Sequence, residues 1–101
     1  MRTIRTRRKG YEYYGFEPGE DKRLKKYCSS AEFDEHILLL QAAIEAHKEI
    51  APDLFYSIAK GMSYEDVDRL NYIPITKGDF YGHQRNTLYI FRDMLRMIGK
   101  W

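Results

Sequence analysis

Three groups of side chains in this 101-residue chain have the chemistry for something beyond packing: the thiol of Cys28, the imidazoles of His36 and His47, and the carboxylates of Glu65, Asp66 and Asp68. A nucleophilic thiol needs a base beside it. No spacing supplies one here, so Cys28 reads as a small buried hydrophobe. His36 and His47 fall on nearly the same face of one helix, but no further ligand stands at a spacing that completes a metal site. They read as core or boundary residues. The three acids sit at the start of a short helix, where carboxylates favour the positive end of the macrodipole. No glycine loop of the phosphate-cradling type is present. The remaining chemistry is noncovalent. Arg85, Arg92 and Arg96 form a line on one side of the last helix, below a notch made by Gly78 and Gly82. Such a line can meet phosphates, and such a notch lets a backbone approach closely. The chain therefore reads as non-enzymatic, with no catalytic residue, metal, cofactor or small-molecule substrate.

Those side chains must be positioned by the stretch from Met62 to Ile98, which holds two helix starts of one design. Met62-Ser63-Tyr64-Glu65-Asp66-Val67 places a hydroxyl cap between flanking apolar residues with an acid three positions on, and Ile75-Thr76-Lys77-Gly78-Asp79-Phe80 repeats the order. In each, the hydroxyl can accept a first-turn N–H, the acid can reach back to the cap, and the apolar pair can close as a staple. Asn71-Tyr72-Ile73-Pro74 stops the first helix, because proline biases the residue before it away from helix. A short helix (Ser63–Leu70), a tight connection and a longer helix (about Lys77–Gly99) read as a helix-turn-helix over about residues 62–98. On the long helix, Phe80, Gln84, Thr87, Leu88, Phe91, Met94, Leu95 and Ile98 lie within about 80° of one direction. Val67 and Leu70 face the core from the short helix.

Upstream, residues 1–19 read as a basic and aromatic arm, and residues 20–101 as a single helical domain. The arm carries Arg2, Arg5, Arg7, Arg8 and Lys9, which can track phosphates, enter a minor groove, or form a solvated tail. Tyr11, Tyr13, Tyr14 and Phe16 can stack on bases, but they read better as packing onto the body. Glu20–Cys28 forms a helix with Leu24, Tyr27 and Cys28 inward. Ser29 or Ser30 caps a central core helix over about Ala31–Glu49, with Phe33, Ile37, Leu40, Ile44 and His47 on its buried face. Pro52 suits the first turn of a helix over Ala51–Lys60, and Gly61 the left-handed residue that closes it. The expected fold is all-α, with about five helices.

The net charge of +2 hides a division. Residues 1–10 carry five bases and no acid, residues 27–76 nine acids against three bases, and residues 77–101 five bases against two acids. Basic ends around an acidic middle fit a molecule with an electropositive working face. One cysteine fits a reducing compartment, and no apolar run reaches membrane-spanning length. The expectation is a soluble, cytoplasmic protein.

Residues 60–67, Lys60-Gly61-Met62-Ser63-Tyr64-Glu65-Asp66-Val67, resemble the entry to the helix-turn-helix of sigma-70 region 4. Ile73-Pro74-Ile75-Thr76 through Phe80-Tyr81 to Arg85 and Leu88 is similar to the small phage and mobile-element regulators of the ArpU and RinA type. The likeness covers about residues 60–91. It implies a DNA-binding transcriptional regulator or accessory protein, with Thr76, Lys77, Gly78, Tyr81, Gly82, Arg85 and Asn86 where a recognition helix meets double-stranded DNA. Lys77 and Arg85 would contact guanine or phosphate, Asn86 adenine, and Tyr81 sugar-phosphate or a thymine methyl. One copy presents little surface, so a homodimer or a larger transcription complex is expected. The rival expectation is a helical protein–protein interaction module that keeps the helix-turn-helix shape without binding DNA. The acidic middle and low net charge favour it.

Overall fold

The computed structural model describes residues 10–101. It holds five helices: α1 (Glu20–Ser29), α2 (Phe33–Ala46), α3 (Ala51–Lys60), α4 (Tyr64–Leu70) and α5 (Lys77–Met97). Single 3-10 turns cover Tyr11–Tyr14 and Lys48–Ile50, and there is no strand among the described residues. The all-α expectation of five helices holds. No helix among the described residues is long and apolar enough to cross a membrane.

Local chemistry accounts for most boundaries. Pro52 stands in the first turn of α3, and Gly61 closes that helix at φ 65°, a conformation that costs glycine no Cβ clash. Ser63 accepts the Asp66 N–H and Thr76 the Asp79 N–H, both at 3.2 Å. Met62 and Ile75 pack on the cluster that holds Val67 and Phe80, as staples would. Ser29 and Ser30, by contrast, do not cap α2. Their hydroxyls donate back to the Lys26 carbonyl at the end of α1, and α2 begins behind Glu32 with no side-chain cap.

The centre of the fold is α5. No residue from Asp79 to Leu95 is fully exposed, and Phe80, Leu88, Phe91 and Leu95 are sealed from solvent. Phe80 joins a cluster with Ala43, Leu54, Val67 and Ile73, while Leu88, Phe91 and Leu95 join a second with Tyr14, Phe16, Leu24, Leu39 and Ile58. A buried polar pair stands along α5 between them, where Gln84 Nε2 donates to Ser57 Oγ at 2.9 Å. Ser57 Oγ in turn donates to the Met62 carbonyl at 2.7 Å, so this polar pair is satisfied. Ile98 lies past the end of α5 and is exposed.

The buried face of α2 is not the expected one. Glu35, Leu39, Ala42 and Ala43 are buried, whereas Phe33, Ile37, Leu40 and Ile44 are 76%, 46%, 37% and 44% exposed. Two adjacent alanines allow close approach to the aromatic ridge of α5, its most extensive packing partner, and large side chains there would overpack it. His47 is half-buried and meets His83 edge to face at 4.6 Å. Leu70 is also outward, 77% exposed. α4 is too short to bury more than Val67, and Leu70 instead rims a cleft with Tyr56 and Met62.

Arg92 departs furthest from its expected place. It is 3% exposed. Its guanidinium pairs with Glu20 at 3.2 Å and donates to the carbonyls of Tyr14 (2.7 Å) and Gly15 (3.2 Å). It also lies over the Phe16 ring at 4.2 Å. Gly15, at φ 74°, ends the 3-10 turn beside it. Glu20 is held in turn by the Trp101 indole N–H at 2.8 Å and the Glu17 N–H at 3.0 Å, with Arg96 at 3.6 Å. Burial works against the Glu20 charge, but the Trp101 and Glu17 hydrogen bonds and the two arginines outweigh it and hold the carboxyl below its usual range.

A carboxylate with a lowered native pKa stabilises the fold above its ordinary pKa, and this contribution is lost as pH falls through the native value. Stability should therefore be level from neutral pH to about pH 5 and then decline. Glu20→Gln should flatten that decline in pH-dependent thermal melts. Removing one partner of a buried pair typically costs about 3–5 kcal/mol, so Arg92→Met should lower urea-unfolding stability by about that much. The double variant Glu20→Gln/Arg92→Met should lose less than the sum of the singles.

Candidate nucleic-acid interface

The α4–α5 unit is tied at its two helix starts. The Tyr64 N–H donates to the Tyr81 hydroxyl at 3.0 Å, and the Tyr64 hydroxyl donates to the Ile75 carbonyl at 2.8 Å. Lys77 Nζ reaches Glu65 at 2.6 Å on the surface. That contact draws the Glu65 carboxyl down and the Lys77 ammonium up. The connection between the helices is ordered by side chains as well. Asp68 accepts the N–H of buried Ile73 at 2.8 Å, and Asn71 Nδ2 donates to Asp53 at 3.1 Å.

The seven candidate residues on α5 and its cap divide into three groups. Thr76, Lys77 and Gly78 form one exposed patch at the start of the helix. Tyr81 is half-buried with its hydroxyl committed to α4, and Gly82 is buried, so the two glycines do not make an outward notch. Arg85 and Asn86 are half-buried further along. Arg92, expected on the same open line, is interior for the reasons above. Arg5, Arg7 and Arg8 lie outside the described residues.

The fold adds one residue that spacing did not indicate. Burial lowers the pKa of Lys25 on α1, opposed by Asp21 and aided by the charges of Arg85 and Lys22. Its ammonium lies 5.8 Å from the Tyr11 ring centre. That phenol is pushed up to about 12, by burial first and by Asp21 second, with Arg85 opposing. Lys25 also lines a shallow concavity with Ser63, Tyr81 and Gln84, next to the start of α4. Lys25 thus stands between the Tyr11 ring and the start of α4, within the fields of Arg85, Lys22 and the opposing Asp21. No sequence signal could place Lys25 there, because the register of α1 against α5 is a tertiary property.

The other reactive groups have structural surroundings. Cys28 is fully buried and its thiol is pushed up to about 12 by burial, opposed by a backbone hydrogen bond. His36 Nε2 donates to the Cys28 carbonyl at 2.9 Å. Burial and His47 together lower the His83 pKa, opposed by Asp79. No cluster of three or more His, Cys, Asp or Glu suited to a metal occurs among the described residues. No protein-family model, curated protein or solved structure matches this chain.

Because the caps hold the interface in shape, Thr76→Ala and Ser63→Ala should each cost about 1 kcal/mol in chemical denaturation. Thr76→Ser and Ser63→Thr should recover most of it.

Proposed function

We propose that this chain is a non-enzymatic DNA-binding protein, a regulator or accessory factor of the kind its resemblance to sigma-70 region 4 and to phage regulators implies. The observation that carries the reading is the capped and cross-tied α4–α5 pair, which presents Thr76, Lys77 and Gly78 at the open start of the second helix. Lys25 and Arg85 alongside supply charge for phosphates. Enclosure of α5 beyond its first turn confines base contact to that turn. Affinity is therefore mainly electrostatic, with modest sequence readout from Lys77, while half-buried Asn86 lies beyond the turn that can reach bases. Phosphate would compete with Glu65 for Lys77, since both anions seek the same ammonium.

A second reading, a helical module that docks another protein, is favoured by the exposed apolar side of α2. The two separate in one experiment. Fluorescence anisotropy with mixed-sequence duplex DNA should show binding that weakens steeply between about 50 and 200 mM salt. Lys25→Ala and Arg85→Ala should each weaken it and reduce the magnitude of the log–log salt slope by about one. Absence of binding at the lower salt would overturn the DNA reading in favour of the docking module.

A further inference from the structure

Phe33, Ile37, Leu40 and Ile44 are the four large apolar side chains that α2 leaves exposed. They fall within an arc of about 60° on a regular helix. They run from the first residue of α2 to within two residues of its last, Ala46. A monomer seldom leaves so ordered a stripe without a partner for it.

We propose that this stripe is the seam of a homodimer in which two copies of α2 pair antiparallel about a two-fold axis. The spacing carries the choice of partner. Intervals of four, three and four residues are those of a two-stranded coiled-coil seam. They also read the same from either end, so an antiparallel copy aligns Phe33 with Ile44 of the second copy, and Ile37 with Leu40. A two-fold interface requires such self-complementarity, because the same patch must serve both sides. An unrelated partner places no such demand.

The area agrees. From their fractional exposures, the four side chains offer roughly 400 Å² of surface per copy. Two copies with their rims would bury roughly 1,000–1,200 Å², the lower end of the range for specific association. That predicts a reversible dimer with a dissociation constant in the micromolar range. The rim holds Asp34, Gln41 and Glu45 on one side and His36 on the other. In this register Asp34 comes alongside Gln41 of the second copy, with Glu45 on the same rim. Like charges on that rim mean that added salt does not weaken the dimer, the opposite of its effect on DNA binding. The proposal stands apart from the DNA reading, since the dimer forms without DNA.

Sedimentation equilibrium of the full chain, from about 1 to 500 µM, should show mass rising from 12.1 kDa towards twice that value. Leu40→Glu should raise the dissociation constant at least about tenfold, with the circular dichroism spectrum unchanged because Leu40 is already 37% exposed and a carboxylate there can turn outward. Phe33→Cys/Ile44→Cys should oxidise to a covalent dimer. Phe33→Cys alone should not, because the two copies of that residue lie roughly 16 Å apart along the seam. Buried Cys28 leaves the background clean. A constant 12.1 kDa across the range, a dimer indifferent to Leu40→Glu, or cross-linking by Phe33→Cys alone would overturn the proposal.

Discussion

Burying the Arg92 guanidinium is the constraint around which the other elements are arranged. A charge removed from water is tolerated only when it is paired and hydrogen-bonded. Arg92 obtains a carboxylate from the start of α1 and two carbonyls from the 3-10 turn. The carboxylate is itself held by an indole at the C-terminal end of the chain. One ion pair thereby joins segments more than 70 residues apart in sequence. It fixes where α1 lies against α5, and so where Lys25 lies relative to Arg85.

This arrangement makes α5 a central helix and limits what it can offer a ligand. A recognition helix that worked along its whole length would need an open outer face, whereas here the partners of Arg92 and the Tyr14 ring against Tyr89 cover much of it. The open parts are the first turn, shaped by Thr76 and braced through Tyr64, and the basic flank. The proposed dimer seam lies on α2, a helix whose opposite side packs on α5. As proposed, two copies joined through α2 would bind a polyanion better than one.

Local rules in the sequence were enough to locate the elements. Hydroxyl caps, Pro52, Gly61 and the interruption at Asn71–Pro74 are decided by neighbouring residues, and α3, α4 and α5 begin within a residue of where those signals put them. The inward face of α5 was also readable, because its apolar stripe is narrow. The orientation of α2 was not. Leu38, Leu39 and Leu40 surround that helix with apolar surface, and hydrophobicity alone chooses the bulkier side, whereas packing against the α5 ridge chooses the side with Ala42 and Ala43. Arg92 was hidden for a related reason. By spacing it is indistinguishable from Arg85 and Arg96, and only its burial beside Glu20 and the carbonyls of Tyr14 and Gly15, all remote in sequence, sets it apart. The cap at Thr76 and the helix start at Lys77 were legible, while the place of Lys25 depended wholly on tertiary register.

In the proposed complex, DNA would meet this protein at the start of α5 and beside Lys25 and Arg85, and nowhere along the enclosed remainder of the helix. The most direct test follows backbone amide chemical shifts while duplex DNA is titrated into the labelled protein. The largest shifts should fall at Thr76, Lys77 and Gly78, with smaller ones near Lys25 and Arg85 and little change along Phe33–Ile44. Shifts concentrated on α2, or none at all, would contradict it.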